Sequence, residues 1–481
     1  LNFNVMVYNE NDLKGQPLQQ SLTTENIEAL VLAGDSSNLM QSSSIIPTEY
    51  NENRVLYKKV TDNNIEFYEF SNNSSDELYS IKFSYVGDKM GDYSLLNTSA
   101  ISNIYEYTPP VASVKQGNYQ PIINLVAPEK IQLAIINGDY QISNNTKVKF
   151  ELANSNTDKN LFSSIDDNNN NGLATKIELE NFITRSNDIK IISKIELKHI
   201  NKNFRSIENN YDIEFLRDWN LDSTLLGVNN QFNKTQNQSS AEIIITKKDT
   251  GLMNYSYQSL EFVNNFKGNK HSAVVKYDDS KTEINSTNSL LESQSQLIKS
   301  DFSRSYNNIK FKRENKWASI NIDYENNSKK NKFTDSLILN SHKFKSYGLK
   351  AGIGDYDKIF VEIGLNHKIN DSVLDNRIQK VNSSNNFSIN SQLINSSNTK
   401  LSLFGNYRVL NRVNEINKEK FLNSRINYFK KSSNGIIKLN IVYESNSGNL
   451  AQQEYTFIEV EPGIGNYKWI DINENGIQEL E

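Results

Sequence analysis

The sequence contains no cysteine and little proline, glycine or tryptophan, with 7 Pro, 20 Gly and 3 Trp in 481 residues. Without cysteine the chain can form no disulfide, no thiolate metal site and no cysteine nucleophile. No apolar run reaches the roughly 18 residues that a transmembrane helix requires, so the sequence predicts no such helix. The length exceeds that of a usual single core, which favours two or three domains or one very large sheet.

An excess of positive charge is also missing. The chain has 52 Lys and Arg against 57 Asp and Glu, which gives a net charge of -5 and a pI near 5.7. A nucleic-acid-binding protein needs a dominant basic face, so we expect no nucleic-acid partner. The sequence also lacks the motifs of serine hydrolases, zinc proteases and P-loop proteins. Its histidines are far apart, at His199, His271, His342 and His367. We therefore predict that the protein is not an enzyme.

Aromatic residues are plentiful, with 24 Tyr and 22 Phe, and they recur with the two-residue period of half-buried strands. In "ASINIDYEN", for example, Ile320, Ile322 and Tyr324 alternate with polar residues. The sequence predicts an all-β fold with few short helices. It consists of a long up-and-down antiparallel sheet or barrel-like structure, preceded by a smaller β-rich unit. The period leaves open whether the long sheet is soluble in the periplasm or faces lipid as a barrel.

One segment predicts a short helix. Thr23 or Thr24 precedes acidic residues in "TTENIEALVLAGD", as in a capping box, and Gly34 follows the apolar stretch as a stop signal.

Proline placement divides the chain. Pro109, Pro110, Pro121 and Pro128 are more than half of all prolines, and proline is excluded from central strands. We predict an antiparallel β unit over 1–107, a Pro-rich junction with further strands over 108–184, and a long antiparallel meander over 185–481.

Two segments match, fully or in part, the sequence pattern of a calcium-binding loop. The pattern D-x-[DN]-x-[DN]-G-x5-E is complete once, and its ligands would be Asp167, Asn169, Asn171 and Glu178. A partial copy at the end of the sequence offers Asp471, Asn473 and Asn475. The sequence predicts Ca²⁺ at these loops, and the alternative is an Asn-rich turn without metal. Because the second copy lacks its last ligand, we expect the sequence to be part of a longer protein.

Several short motifs resemble a family of very long, β-rich cell-envelope proteins of gliding bacteria with type 9 secretion, which includes the plug subunit of the translocon. The resemblance covers the first third and the extreme end of the chain. It rests on "GQPLQ" (Gly15, Pro17, Leu18), "VGDKMGDY" (Gly87, Gly91, Asp92, Tyr93), "QGNYQP" (Gly117, Tyr119, Pro121) and "SNTDKNLFSS" (Ser155, Asn156, Asp158, Phe162, Ser163, Ser164).

The resemblance implies a non-enzymatic subunit of the secretion machinery at the periplasmic face of the outer membrane. Such a subunit would seal the periplasmic opening of the giant translocon barrel, which would be its partner, together with other periplasmic or outer-membrane secretion subunits. The residues themselves leave an alternative, a free-standing outer-membrane β-barrel that acts as a porin or transporter. A secreted glycan-active enzyme or adhesin is the third class, and the chain lacks the paired acids or aromatic platform that would favour it.

Overall fold

The computed structural model describes residues 1–447 apart from 16–19, 21, 63, 99–101, 113, 187, 209–210, 222–233, 356–357, 414 and 433–435. These residues form two α-helices, α1 (Thr24–Ala33) and α2 (Phe215–Asp218), and a short 3-10 helix (Asp167–Asn169). Most of them lie in strands, which are numbered in chain order: β1 (Asn2–Asn11), β2 (Gln41–Ser43), β3 (Ile46–Thr48), β4 (Tyr57–Asp62), β5 (Ile65–Phe70), β6 (Leu78–Ser80), β7 (Ser84–Tyr85), β8 (Tyr93–Thr98), β9 (Asn103–Tyr107), β10 (Tyr119–Gln120), β11 (Ile122–Asn124), β12 (Lys130–Ser143), β13 (Thr146–Asp158), β14 (Asn171–Arg185), β15 (Ile189–Ile200), β16 (Gln236–Lys247), β17 (Gly251–Phe262), β18 (Phe266–Asp278), β19 (Thr282–Ser295), β20 (Ile298–Arg313), β21 (Lys316–Asn331), β22 (His342–Gly354), β23 (Phe360–Leu374), β24 (Arg377–Asn395), β25 (Thr399–Arg412), β26 (Glu419–Lys431) and β27 (Lys438–Asn446).

One 17-stranded sheet dominates the chain, and its order is β1, then β12 to β27 in sequence. Each strand from β13 onward pairs antiparallel with the next, and the register is continuous over most of every pair. The predicted all-β fold with a long up-and-down sheet is therefore confirmed. Within the described residues, β1 and β27 are the two edges of this sheet.

By its contacts the chain divides into two units. The large-sheet unit contains Leu1–Asn9, Ile131–Thr157 and Asn168–Leu450, and the small-sheet unit contains Glu10–Lys130 and Asp158–Asp167. The predicted regions 1–107, 108–184 and 185–481 do not coincide with these units. The long strands begin at Lys130, just after the last junction proline, because β12 to β14 already alternate as the later strands do.

The small-sheet unit is held together by aromatic residues between its short sheets. The ring of Phe83 lies 5.1 Å from that of Tyr57 and 4.7 Å from those of Tyr93 and Tyr105. Tyr57 and Tyr93 are almost completely buried, yet each hydroxyl accepts a backbone hydrogen bond, from the amides of Tyr105 (3.1 Å) and Tyr68 (2.9 Å). Tyrosine suits these positions because its ring fills the core while its hydroxyl satisfies a backbone amide.

Two glycines of the family-like motifs lie where backbones approach closely. Gly91 and Gly117 form an antiparallel bridge. A Cβ on Gly91 would lie 2.3 Å from the carbonyl oxygen of Tyr119, and one on Gly117 would lie 2.5 Å from backbone atoms of Tyr93. These distances explain glycine at both positions, because no side chain fits there.

The predicted helix is α1, and its start and end follow the predicted signals. The Thr23 hydroxyl accepts a hydrogen bond from the Asn26 amide at 3.3 Å, and Gly34 ends the helix with φ of +58°. Leu30 and Ala33 bury their side chains in a cluster with Met40, Leu125 and Ala127.

The segment that follows β13 caps the C-terminal end of α1. The fully buried Asn160 donates from Nδ2 to the carbonyl oxygens of Leu30 and Gly34, both at 2.7 Å. The Ser163 hydroxyl donates to the carbonyl oxygen of Val31 at 2.7 Å. These contacts satisfy carbonyls that a helix end leaves without partners. The motif "SNTDKNLFSS" therefore has a structural reason in this chain.

Asn160→Ala is expected to destabilise the small-sheet unit by about 2–3 kcal/mol, because it leaves buried carbonyls without a donor. The measurements are thermal unfolding and hydrogen exchange of the α1 amides. Asn72→Ala is the matched control, since Asn72 is exposed in the same unit and should change stability by less than about 0.5 kcal/mol. Equal effects of the two substitutions would contradict the capping role.

An acidic pair lies beside this cap. Asp166 accepts two hydrogen bonds from the Asp35 amide, at 2.9 and 3.1 Å. Burial, together with the charges of Asp166 and Asp158, raises the pKa of the Asp35 carboxyl from 3.8 to about 6. A raised pKa in the folded state means that the protonated form is the one that stabilises. This stabilisation is complete below about pH 4 and is lost as the pH rises through about 6.

Asp35→Asn is therefore expected to raise stability at pH 8, by about 1–2 kcal/mol once the shift is discounted for solvent screening. The gain should disappear below about pH 4, where Asp35 is protonated in both states. Thermal melts of both proteins between pH 4 and pH 8 supply the measurement. Parallel stability curves across that range would contradict the assigned pKa.

Candidate functional site: the two faces of the large sheet

The two faces of the large sheet differ in chemistry, and the exposed face is the apolar one. In β23, Ile363 and Leu365 are 57% and 52% exposed. Glu362, whose side chain lies on the opposite face of the same strand, is only 9% exposed. The face that carries Ile363 and Leu365 is called the apolar face, and the face that carries Glu362 is called the polar face. This arrangement is the reverse of a soluble sheet, which buries its apolar side.

The apolar residues form a continuous band because the strand register aligns them. Leu365 pairs with Leu349 on one side and with Phe387 on the other. All members of this apolar band are more than a third exposed, and they are Ile320, Leu349, Leu365, Phe387, Tyr407 and Leu422. The same face continues in β14 and β15, where Ile177 pairs with Leu197 and both are about half exposed.

Polar residues interrupt the apolar face in β19 and β20, but they bond to one another. The Ser286 hydroxyl donates to Asn307 at 2.6 Å, and the Ser305 hydroxyl donates to Asn288 at 2.5 Å. The interruption therefore leaves these side chains with protein partners rather than dependent on water.

The polar face carries charged ladders and a groove. Lys149 lies 2.6 Å from Glu178 and 3.4 Å from Glu180, and Lys176 lies 3.0 Å from Glu196. Farther along the sheet, a groove of about 660 Å³ is lined mainly by asparagine and serine. One of its members, Ser346, donates to Asn366 at 2.9 Å. This face can offer hydrogen bonds to water and to polar solutes.

The predicted calcium ligands are not brought together as a set. Asp167 and Asn169 lie in the 3-10 helix, and Asn171 begins β14, where its side-chain oxygen accepts a hydrogen bond from Asn156 at 2.9 Å. Glu178 lies in the middle of β14, roughly 23 Å along the strand from Asn171, and it pairs with Lys149. The sequence pattern assumes a loop, whereas strand pairing extends these residues. The second set, Asp471, Asn473 and Asn475, lies outside the described residues.

Calcium binding at Asp167, Asn169 and Asn171 stays a prediction, and the position of Glu178 sharpens its test. Thermal melts with calcium and with chelator should differ for the native chain if the loop binds the ion, by about 2.7 kcal/mol of stabilisation at a hundredfold excess over the dissociation constant. Asp167→Ala should remove the difference, whereas Glu178→Gln should keep it. Identical melts of the native chain in both conditions would mean an Asn-rich turn without metal.

Each histidine has its own partner within the sheet. His342 Nε2 lies 2.8 Å from Glu325, and His367 Nδ1 lies 2.7 Å from Asn385. His199 and His271 contact Asn237 and Tyr255 in the same way. Among the described residues, no three carboxylate or imidazole side chains converge on a common point.

A segment that the sequence did not single out covers part of the polar face. Residues 201–208 and 211–221, here called the inner segment, follow β15 and include α2. Trp219 and Leu221 are buried with sheet residues in the larger of the two apolar clusters found among the described residues, whose other members are Leu260, Phe262, Phe266, Leu291 and Phe302. The sequence signal was an aromatic-rich stretch without a period, "YDIEFLRDWNL", which predicts no element by itself.

A scan against protein-family models finds no match, and a search of curated proteins finds none either. Neither helix in the described part of the chain is long and apolar enough to cross a lipid bilayer.

Proposed function

We propose that the large sheet is the wall of an outer-membrane β-barrel, with its apolar face against lipid and its polar face toward an aqueous interior. Closure of the sheet is part of this proposal. The observation that supports it is the reversed polarity of the sheet, in which Ile363 and Leu365 are exposed while Glu362 is buried. Lipid-facing strands alternate apolar outward and polar inward in this way.

The height of the apolar band fits a bilayer. In β23 the outward positions from Val361 to Ile369 cover nine residues, and a tilted strand needs about 9–11 residues to cross the hydrocarbon core. His367 is the polar exception within this stretch, and its partner Asn385 lies on the neighbouring strand. A band of this height would be costly to leave in water, since each large apolar side chain contributes about 1.5–3 kcal/mol when fully buried.

A soluble two-layer fold would require a second layer on the apolar face. Within the described residues of the large-sheet unit, the inner segment packs on the polar face instead, where Trp219 clusters with Leu260 and Arg217 lies 3.7 Å from Glu325. Connections of both lengths occur at one end of the sheet. The long connections 201–235 and 332–341 lie there beside the short turns 263–265, 296–297 and 375–376.

The function supported best is therefore that of a non-enzymatic outer-membrane channel or transporter. Sealing of the type 9 translocon at its periplasmic mouth remains a second proposal, which rests on the resemblance of the short motifs. The two proposals predict different partners. If the chain is a plug, affinity purification from envelope extracts should recover it together with a giant translocon barrel, with or without other secretion subunits. If it is a free-standing barrel, the purification should recover the chain without that partner.

Membrane integration is tested by reconstituting the full chain into liposomes and washing them at alkaline pH, which removes peripheral proteins. We expect the chain to remain with the liposomes and to float with them in a density gradient. Loss of the chain to the supernatant, with its β-structure intact by circular dichroism, would overturn the proposal.

A further inference from the structure

The inner segment sits on a local exception to the pattern of the polar face. Elsewhere this face carries mainly Asn, Ser and charged residues with single aromatic residues such as Phe404, whereas beneath the inner segment it carries the cluster of Leu260, Phe262, Leu291 and Phe302. These residues belong to β17, β19 and β20, and their strand positions place them on the same face as Glu325. The sheet is therefore built to hold this segment, because an apolar patch on a wet face is favourable only when it is covered.

Polar contacts also hold the inner segment against strands β20 and β21. Asp218 forms an ion pair with Arg304 at 2.8 Å, and Arg217 lies 3.7 Å from the buried carboxylate of Glu325. The Asn220 side chain donates to Ser300 at 2.6 Å and to Asn327 at 2.9 Å. These contacts reach strands β20 and β21, so the segment extends over the polar face from the apolar cluster to the region beside the groove.

Trp219 takes part in the apolar cluster and also contacts a charged group. Its ring is 3% exposed, and the ammonium group of the buried Lys270 lies 4.6 Å from the ring centre. A cation over an indole ring in a desolvated place is a strong contact of its kind. The segment is thereby anchored by one aromatic residue and held by two neighbouring charged residues, Arg217 and Asp218.

We propose that the inner segment is a constriction that restricts the passage of polar solutes along the polar face, and that Arg217 and Asp218 are the latch that keeps it in place. The inference rests on the proposed function, because a constriction has an effect only if the polar face lines an aqueous interior. The solutes are ions and small hydrophilic molecules, since the remaining polar face presents amide, hydroxyl and charged groups.

The first experiment measures unitary conductance of the full chain in planar bilayers with potassium chloride. The variant Arg217→Gln/Asp218→Asn removes both latch charges at similar side-chain size, and it is expected to raise the conductance above that of the native chain. The matched control is Lys59→Gln/Glu66→Gln, which removes an ion pair of the same length (2.8 Å) in the small-sheet unit, outside the polar face. The control should leave the conductance unchanged.

A covalent version of the latch provides the reverse test. Because the chain has no cysteine, Asp218→Cys/Arg304→Cys introduces two thiols without competitors and removes the ion pair. With free thiols this variant should conduct like the latch variant. A short bifunctional methanethiosulfonate linker should return the conductance to the native level, and a reducing agent should raise it again.

Trp219 reports release of the segment independently of conductance. In a Trp317→Phe/Trp469→Phe background its fluorescence is the only tryptophan signal, and acrylamide should quench it more strongly in the latch variant. Increased quenching without a conductance change would overturn the constriction, and unchanged quenching would overturn the latch. A chain that fails to stay with liposomes would instead count against the proposed function, so the two failures are distinguishable.

Discussion

Leu365→Arg is expected to prevent stable assembly of the large sheet in membranes. Leu365 lies near the middle of β23 and is half exposed within the apolar band, between Leu349 and Phe387. An arginine on the lipid face near the bilayer midplane costs about 2–4 kcal/mol. This cost is comparable to a large part of the stability of a typical domain. The measurement is the fraction of chain that folds into liposomes from denaturant, compared with the native chain.

Asn366→Arg is the matched control, because the next residue of the same strand faces the other side of the sheet. Asn366 belongs to the polar groove, where it accepts a hydrogen bond from Ser346. The same arginine there would lie among polar groups, and we expect nearly native assembly. Equal assembly of the two variants would contradict the assignment of the faces.

Trp219→Ala should produce the second large effect. Trp219 is 3% exposed and belongs to the apolar cluster beneath the inner segment, and replacing a buried tryptophan by alanine typically costs about 3–5 kcal/mol. It also removes the ring beneath the Lys270 ammonium group, which leaves a buried charge less well compensated. Denaturant unfolding of the folded chain measures the loss.

Trp317→Ala is the control for this substitution. Trp317 also lies on the polar face and contacts a lysine, with the Lys310 ammonium group 4.2 Å from its ring. It does not belong to the cluster beneath the inner segment. A smaller loss than for Trp219→Ala is expected, because Trp317 is only partly buried. A larger loss for Trp317→Ala would mean that the inner segment contributes little to stability.

The strands and the first helix were predictable because local patterns decide them. The two-residue alternation in "ASINIDYEN" specifies a strand, and Thr23 and Gly34 specify the ends of α1. Alternation also shows that a strand has two different faces. It does not show which face is exposed, because that depends on what covers the whole sheet.

The predictions that differ from the structure concern residues whose neighbours are distant in sequence. Glu178 fits the sequence pattern of a calcium-binding loop, but strand register places it opposite Lys149. The inner segment gave no periodic signal, since its helix is a single turn and its stability comes from residues such as Phe262 and Phe302 that lie far along the chain. Asn160 was part of a family-like motif, and only the fold shows that it caps α1.

The most direct test of the account is the depth of successive residues of β23 in a bilayer. Single cysteines introduced from Val361 to Ile369 in the cysteine-free chain can each carry an environment-sensitive fluorophore in liposomes that contain a quencher in the acyl chains. We predict strong quenching at Ile363 and Leu365 and weak quenching at Glu362 and Asn366. Weak quenching at all positions, with the label in water throughout, would contradict a lipid-facing sheet.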